Sequence, residues 1–362
     1  MSEQPAVLFH VTARLGLGHL NRLSAIALAL HQIHPSLRTP FAIQGEGRLL
    51  LEALGLCCVL LPSGPARRET QNWDLQMSDK RHTILAEAAL EILGRVKPRI
   101  VVFDCFPIPE FAEASITSGI PIVLCLRQMK DLARYLHHAQ SILPHIKLIL
   151  IPHDENAFDL PEEIQNKSCF VGQISRPIKG RRQPNNRLDA PHIVITGGGG
   201  GSSSAVDFYN LAIRAILELR KEYPKLESRL IAGPLFRGWH QLEPIEGLPV
   251  IPFEADTLGA FASADLVISQ AGYNTVAELE QVGTKAILVP AERTWDDQFA
   301  RADRAERLHP HFWSFRGSDP IALARLASES LRDTTPAVSG PQCEGAGQAA
   351  RCLYAMLTPK AS

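Results

Sequence analysis

Four stretches of this sequence set chemically competent residues beside small-residue turns. The first is Gly16-Leu17-Gly18-His19-Leu20-Asn21-Arg22. Its glycines permit a tight turn and close approach of backbone to a ligand, and the start of the helix that follows favours a negative group. His19 stands at the mouth of that helix, where a neutral imidazole can act as a base or merely cap the helix end. Asn21 occupies the place of a third glycine, and no acid follows where a ribose-binding carboxylate is expected, so the stretch is not a dinucleotide fingerprint. The second stretch is Thr196 followed by Gly197, Gly198, Gly199, Gly200 and Gly201, then Ser202-Ser203-Ser204. Unobstructed backbone N–H groups there can wrap a phosphate, and the missing Lys excludes a Walker A loop.

The third stretch runs from Ile268 through Gly272-Tyr273-Asn274-Thr275 to Glu278. Strand, small-residue turn and helix follow in order, which sets Glu278 about one turn inside the helix. A carboxylate there can accept both hydrogen bonds of a ribose diol, while Thr275 and nearby amides reach a phosphate. The plain alternative is a solvated helical Glu. The fourth stretch is Pro290-Ala291-Glu292-Arg293-Thr294-Trp295-Asp296-Asp297-Gln298. Asp297 and Gln298 can hydrogen-bond sugar hydroxyls, and Asp296 or Asp297 can cap a helix. The basic set Arg176, Lys179, Arg181, Arg182 and Arg187 reads as a solvated linker rather than a phosphate site. HExxH, GxSxG, a closed Cys/His set and an Asp-x-Asp pair are all missing from the sequence, which argues against a bound catalytic metal.

The elements that must position these residues alternate. Strand-length apolar runs are predicted at Ala6–Val11, Phe41–Gln44, Cys58–Leu61, Ile100–Asp104, Pro121–Leu126 and Leu148–Ile151, with a helix over His19–His31. After the Pro-, Asn- and Arg-rich segment 176–190, the rhythm restarts with a strand at His192–Thr196 and a helix over Ser203–Tyr223. Strands follow near Arg229–Ala232, Leu248–Pro252, Leu266–Ser269 and Ala286–Val289, and Gly345–Leu357 reads as a closing helix. Continuous rather than alternating hydrophobicity implies parallel sheets covered on both faces, an α/β architecture. Two such halves would face one cleft at the carboxyl ends of their strands.

Composition narrows the function classes. The 362 residues suit two domains, and Lys+Arg 37 against Asp+Glu 38 leaves a net charge of -1. No overall field therefore points to nucleic acid or to an anionic membrane. Seven cysteines at irregular spacing, without CxxC, suggest neither a disulfide framework nor a zinc ribbon. A reducing cytoplasm is the expectation, because no basic leader and no apolar run of membrane-spanning length is present.

Taken in order, the four stretches resemble the GT-B glycosyltransferases. The likeness is greatest to the family that includes the bacterial peptidoglycan N-acetylglucosaminyl transferase and its predicted-glycosyltransferase relatives. GLGHLNR is similar to their GxGHxxR turn, and ISQAGYNTVAELE with a downstream Asp-Gln is the most specific match. Val102-Phe103-Asp104-Cys105-Phe106-Pro107 with Leu124-Cys125-Leu126-Arg127 resembles a recurring pair in those relatives, although Gln128 stands where they often carry Asp.

The resemblance implies two Rossmann-like domains facing each other across a cleft. An acceptor-side domain would span 1–175, the linker 176–190 and a nucleotide-sugar domain 191–340, with a closing segment 341–362 crossing back to the first. It implies a hexosyltransferase that uses a UDP-linked sugar as co-substrate, with no metal or other cofactor and an unidentified acceptor. Gly18, the glycine run Gly198–Gly201 and Ser202 would hold the diphosphate, and Phe253 with Glu254 would read the uracil. Gly272, Asn274 and Thr275 would line phosphate and sugar, Glu278 would bind the ribose, and Asp297 with Gln298 would hold the donor sugar. His19 would be the base and Asp104 an orienting or substituting carboxylate, with Asn21, Arg22 and Arg127 on the acceptor side. Water as acceptor, giving a nucleotide-sugar hydrolase, and an inactive nucleotide-sugar-binding partner are the alternatives; a hydrolysing 2-epimerase lacks its carboxylate-rich constellation here.

Overall fold

The computed structural model describes residues 4–13, 16–62, 79–155, 157–177, 190–335 and 343–358. Within them the apolar runs assemble two parallel sheets. The first contains β1 (Val7–Ala13), β2 (Phe41–Gly45), β3 (Cys58–Leu60), β4 (Ile100–Asp104), β5 (Ile122–Cys125), β6 (Ile146–Ile151) and β7 (Ser168–Phe170), in the order β3-β2-β1-β4-β5-β6-β7. The second contains β8 (His192–Thr196), β9 (Glu227–Ile231), β10 (Val250–Ile251), β11 (Leu266–Ser269), β12 (Ala286–Leu288) and β13 (Phe312–Ser314), in the order β10-β9-β8-β11-β12-β13. Strand order reverses beside β1 and again beside β8, and a crevice forms at such switch points.

The central strands are buried because both faces are covered. Val7, Phe9 and Val11 pack on one side of the first sheet with the helix Gly18–Ile33, while Leu8 joins the helix Asp79–Val96 on the other. The second sheet repeats this, with Ile193 and Ile195 under the helix Ala205–Glu222 and Val194 under Tyr273–Val282. The closing helix Gly345–Leu357 lays Ala349, Ala350 and Leu353 on the core formed by Leu23, Ala27 and Leu30 of the helix Gly18–Ile33. Gly345 is required at its start, since a Cβ there would run into the carbonyl oxygens of Gly172 and Gln173.

Two edge strands, β7 and β13, do not show as runs in the sequence. Each is three residues long, β7 is only half-buried, and an edge partner needs no continuous hydrophobicity. The expected strand at Leu248–Pro252 shortens to Val250–Ile251. Among the described residues, no helix is long and apolar enough to cross a membrane.

Candidate active site

A cavity of about 450 Å³ lies where the carboxyl ends of the two sheets meet. Its first wall is built on charged side chains. Gly16 and Leu17 lead into the helix Gly18–Ile33, which carries His19 and Arg22 on its opening turn, and β4 ends at Asp104. His19 Nδ1 lies 2.6 Å from Asp104 Oδ1, and Arg22 donates from Nε to Oδ2 at 2.7 Å and from Nη2 to Oδ1 at 2.8 Å. Asp104 and Arg22 are buried, whereas the His19 side chain keeps 24% of its surface. Burial alone would raise the Asp104 carboxyl; the Arg22 guanidinium and the His19 ring override it and hold the group well below the usual carboxylate range. With Nδ1–H given to Asp104, Nε2 is the ring's basic nitrogen.

The second wall combines a small-residue turn with charged and polar side chains. Gly197, Gly198, Gly199 and Ser202 line the cavity between β8 and the helix Ala205–Glu222. Neither that helix nor Tyr273–Val282 carries a side-chain N-cap; Ser204 N donates to Ser202 Oγ at 3.2 Å and Ala205 N to the Ser202 carbonyl at 3.1 Å, whereas the opening turn of Tyr273–Val282 presents its first N–H groups to an anion. Glu278 is buried; its Oε2 accepts from Thr257 Oγ1 at 2.9 Å and its Oε1 from Arg176 Nη2 at 3.4 Å. Arg293 donates to Ser202, to Ser204 and, at 3.0 Å, to Gln270 Oε1. Gln298 is fixed by Ala291 N, which donates to its Oε1 at 3.0 Å.

Polar contacts tie the walls together. Asn274 Nδ2 donates to the Gly18 carbonyl at 2.6 Å, and Arg127 Nη1 reaches Asp296 Oδ1 at 2.9 Å. Arg301 takes the same carboxylate with two bonds. Burial would raise Asp296, but Arg127 and Arg301 outweigh it and keep it well below the ordinary range. Two guanidiniums lie against the ring of Tyr273, Arg22 at 5.1 Å and Arg301 at 5.6 Å from its centre, and its hydroxyl donates to the Pro152 carbonyl.

Most residues singled out in the sequence meet in this cavity. Gly18, His19, Asn21, Arg22 and Arg127 line it from the first sheet's side; Gly198, Gly199, Ser202, Phe253, Glu254, Gly272, Asn274, Thr275, Glu278 and Gln298 line it from the second's. Asp104 sits behind His19 and Arg22. Three expected donor residues are not among the lining residues. Gly200 holds φ at +78°, and a Cβ there would strike the Ala232 carbonyl, so its role is to make the turn. Gly201 continues that turn. Asp297 caps the helix Gln298–Leu308, accepting from Ala300 N at 2.9 Å; the carboxylate that faces the cavity is Asp296.

A further correction concerns Arg176, expected to be a solvated linker residue. It is buried in the cavity wall and bonds the Ala255 carbonyl, Thr257 and Glu278. Lys179, Arg181, Arg182 and Arg187 lie outside the described residues. Phe106, Tyr273, Arg293, Trp295 and Asp296 also line the cavity, site residues that their types and spacing alone do not reveal. His19, Asp104 and Cys105 form the metal-capable group among the described residues. Both oxygens of Asp104 already serve Arg22, and a guanidinium at that distance opposes a divalent cation, so this group does not fit a metal site.

Two β-sheets of this order across such a cavity define the GT-B architecture, and a calicheamicin glycosyltransferase, CalG4, superimposes with a TM-score of 0.62 at 15% identity over 99% of this chain and 100% of its own. The model of the glycosyltransferase family 28 C-terminal domain matches residues 192–308. A UDP-N-acetylglucosamine--N-acetylmuramyl-(pentapeptide) pyrophosphoryl-undecaprenol N-acetylglucosamine transferase of Sinorhizobium medicae (strain WSM419) is 30% identical over 271 residues, 70% of this chain and 67% of that protein. Its Polaromonas naphthalenivorans (strain CJ2) counterpart is 25% identical over 255 residues, 67% of this chain and 66% of the counterpart, short of two thirds of its length. The chain belongs to glycosyltransferase family 28.

Proposed function

We propose that this protein transfers a sugar from a UDP-linked donor to an acceptor hydroxyl by direct, inverting displacement without a metal ion. The observation that carries the reading is the His19–Asp104 pair opening onto the same cavity as the glycine run and the uncapped start of the helix Tyr273–Val282.

In this reading His19 Nε2 takes the acceptor's proton as the hydroxyl oxygen attacks the anomeric carbon. Asp104 accepts the Nδ1–H bond, holds the ring in the tautomer that leaves Nε2 basic, and stabilises the imidazolium that forms. Arg22 keeps Asp104 ionised and fixed; removing one partner of such a buried pair typically costs about 3–5 kcal/mol. Charge developing on the departing diphosphate meets the Gly199 amide and the opening N–H groups of the helix Tyr273–Val282, since the amides of Gly197 and Gly198 already donate to the Tyr209 hydroxyl and to Thr196 Oγ1. Glu278 is placed for the ribose diol, and Gln298 for hydroxyls of the donor sugar. The contacts between the two walls exclude water from the donor.

The test couples two readouts. With UDP-glucose and UDP-N-acetylglucosamine as donors, UDP release is measured with and without a panel of hydroxyl acceptors. Release is expected to rise with acceptor, and His19→Ala is expected to lower it about 10²–10⁴-fold while UDP affinity stays within twofold. Stoichiometric free sugar and UDP without any acceptor would replace the transferase reading with a hydrolase. Unchanged turnover in His19→Ala would remove the base.

A further inference from the structure

The residue after Asp104 has an unusual backbone. Cys105 sits at φ +51°, a region that side-chain-bearing residues rarely adopt. Three bonds hold it there: Cys105 N donates to the Cys125 carbonyl at 2.9 Å, Phe106 N to the Asp104 carbonyl at 2.5 Å, and the Tyr135 hydroxyl to the Cys105 carbonyl. The turn so formed directs Phe106 into the cavity wall, with its ring 5.9 Å from that of His19 and nearly perpendicular to it, at 87°.

The other half of this wall arrives from the second sheet's side. Trp295 follows β12, lines the cavity, and places its ring 5.8 Å from Phe106. It is anchored on the opposite domain: the Arg134 guanidinium lies 5.1 Å from its ring centre, and Tyr135 and His138 meet it edge-on at 6.4 and 5.6 Å. Its carbonyl accepts from Lys130 N at 3.2 Å. Two aromatic rings, one from each domain, thus pack against each other, and the nearer, Phe106, meets the ring of the candidate base.

A base must come within about 2.6–3.2 Å of the hydroxyl it deprotonates. His19, Phe106 and Trp295 line one cavity, so a molecule that brings a hydroxyl to His19 Nε2 shares that cavity with both rings. Aromatic side chains offer flat, polarisable area that favours the apolar face of another ring over a flexible polar chain. Resting on the transferase reading above, we infer that Phe106 and Trp295 form a two-domain wall that selects an acceptor presenting its hydroxyl on a six-membered ring with one apolar face. A sugar ring and a phenol share that chemistry.

The experiment uses the full chain saturated with UDP and two probes, methyl β-D-glucopyranoside and 2-naphthol, with binding followed by saturation-transfer NMR and titration calorimetry. The wild type is expected to bind at least one probe; the glucoside alone identifies a sugar acceptor and naphthol alone a phenol. Trp295→Leu and, as the milder change, Phe106→Leu are each expected to weaken that binding fivefold or more, with UDP affinity within twofold. Failure of both probes to bind the UDP-loaded wild type, or equal binding by both variants, would overturn the proposal. A wild type that does not bind UDP at all overturns the donor reading, and this inference with it.

Discussion

The two strand–glycine–helix units that face each other are built alike and equipped differently. The helix beside β1 brings His19 and Arg22 to the cavity, answered by Asp104 from β4. The turn after β8 brings Gly197, Gly198, Gly199 and Ser202, small residues flanked by Glu278 and Arg293. In the proposed function, one local fold would thus give a proton-handling wall and an anion-holding wall, the choice resting on a few residues beside the turn.

The comparison predicts effects of different size and kind on the two sides. The largest is His19→Ala, where turnover collapses and nucleotide binding survives. Next is Gly199→Ala. A Cβ at Gly199 would sit 2.7 Å from Gly16 Cα and 2.8 Å from Leu17 N, because the two glycine turns touch. Pushing them apart is expected to lower turnover about 10–100-fold, since misplacing reacting groups by about 1 Å is that costly. The melting temperature should change little, because the contact joins surfaces rather than filling a core. Wild-type turnover in Gly199→Ala would show that the two units act independently of their contact.

The smallest expected effect separates two histidines of the first unit. His10, on β1, is buried between Phe103 and Phe111 at 5.1 and 4.8 Å, and burial lowers its pKa to about 3. The folded chain keeps His10 neutral, while the unfolded chain binds a proton below about 6.5, so stability is lost as pH falls from that value towards 3. By pH 4 this group alone removes about 3 kcal/mol relative to pH 7. His10→Phe should therefore flatten the fall in melting temperature between pH 6.5 and 4, measured by calorimetry, and leave turnover at neutral pH nearly unchanged. A turnover loss as large as that of His19→Ala would mean that His10 belongs to the proton-handling wall.

Much of this arrangement was legible in the residues. Strands buried on both faces announce themselves as continuous apolar runs, and each turn that lines the cavity has the small residues its backbone needs. What escaped depends on distance in the sequence. Arg176 looks like one more charge in a basic linker until Glu278, 102 residues later, folds against it. Asp296 and Asp297 are equivalent by type, and only the exact start of the helix assigns one to the cap and the other to Arg127 and Arg301. Trp295 reads as part of a loop; its anchoring on Arg134 and Tyr135 exists only after the two domains meet. Edge strands such as β7 carry no signal because half their surface stays in solvent.

The division of labour between the walls is tested most directly by titrating UDP calorimetrically into the wild type, Glu278→Gln and His19→Ala. The account predicts that the wild type and His19→Ala bind with affinities within twofold, and that Glu278→Gln binds at least tenfold more weakly. Equal binding by Glu278→Gln and the wild type, or a loss in His19→Ala as large as that in Glu278→Gln, would contradict it.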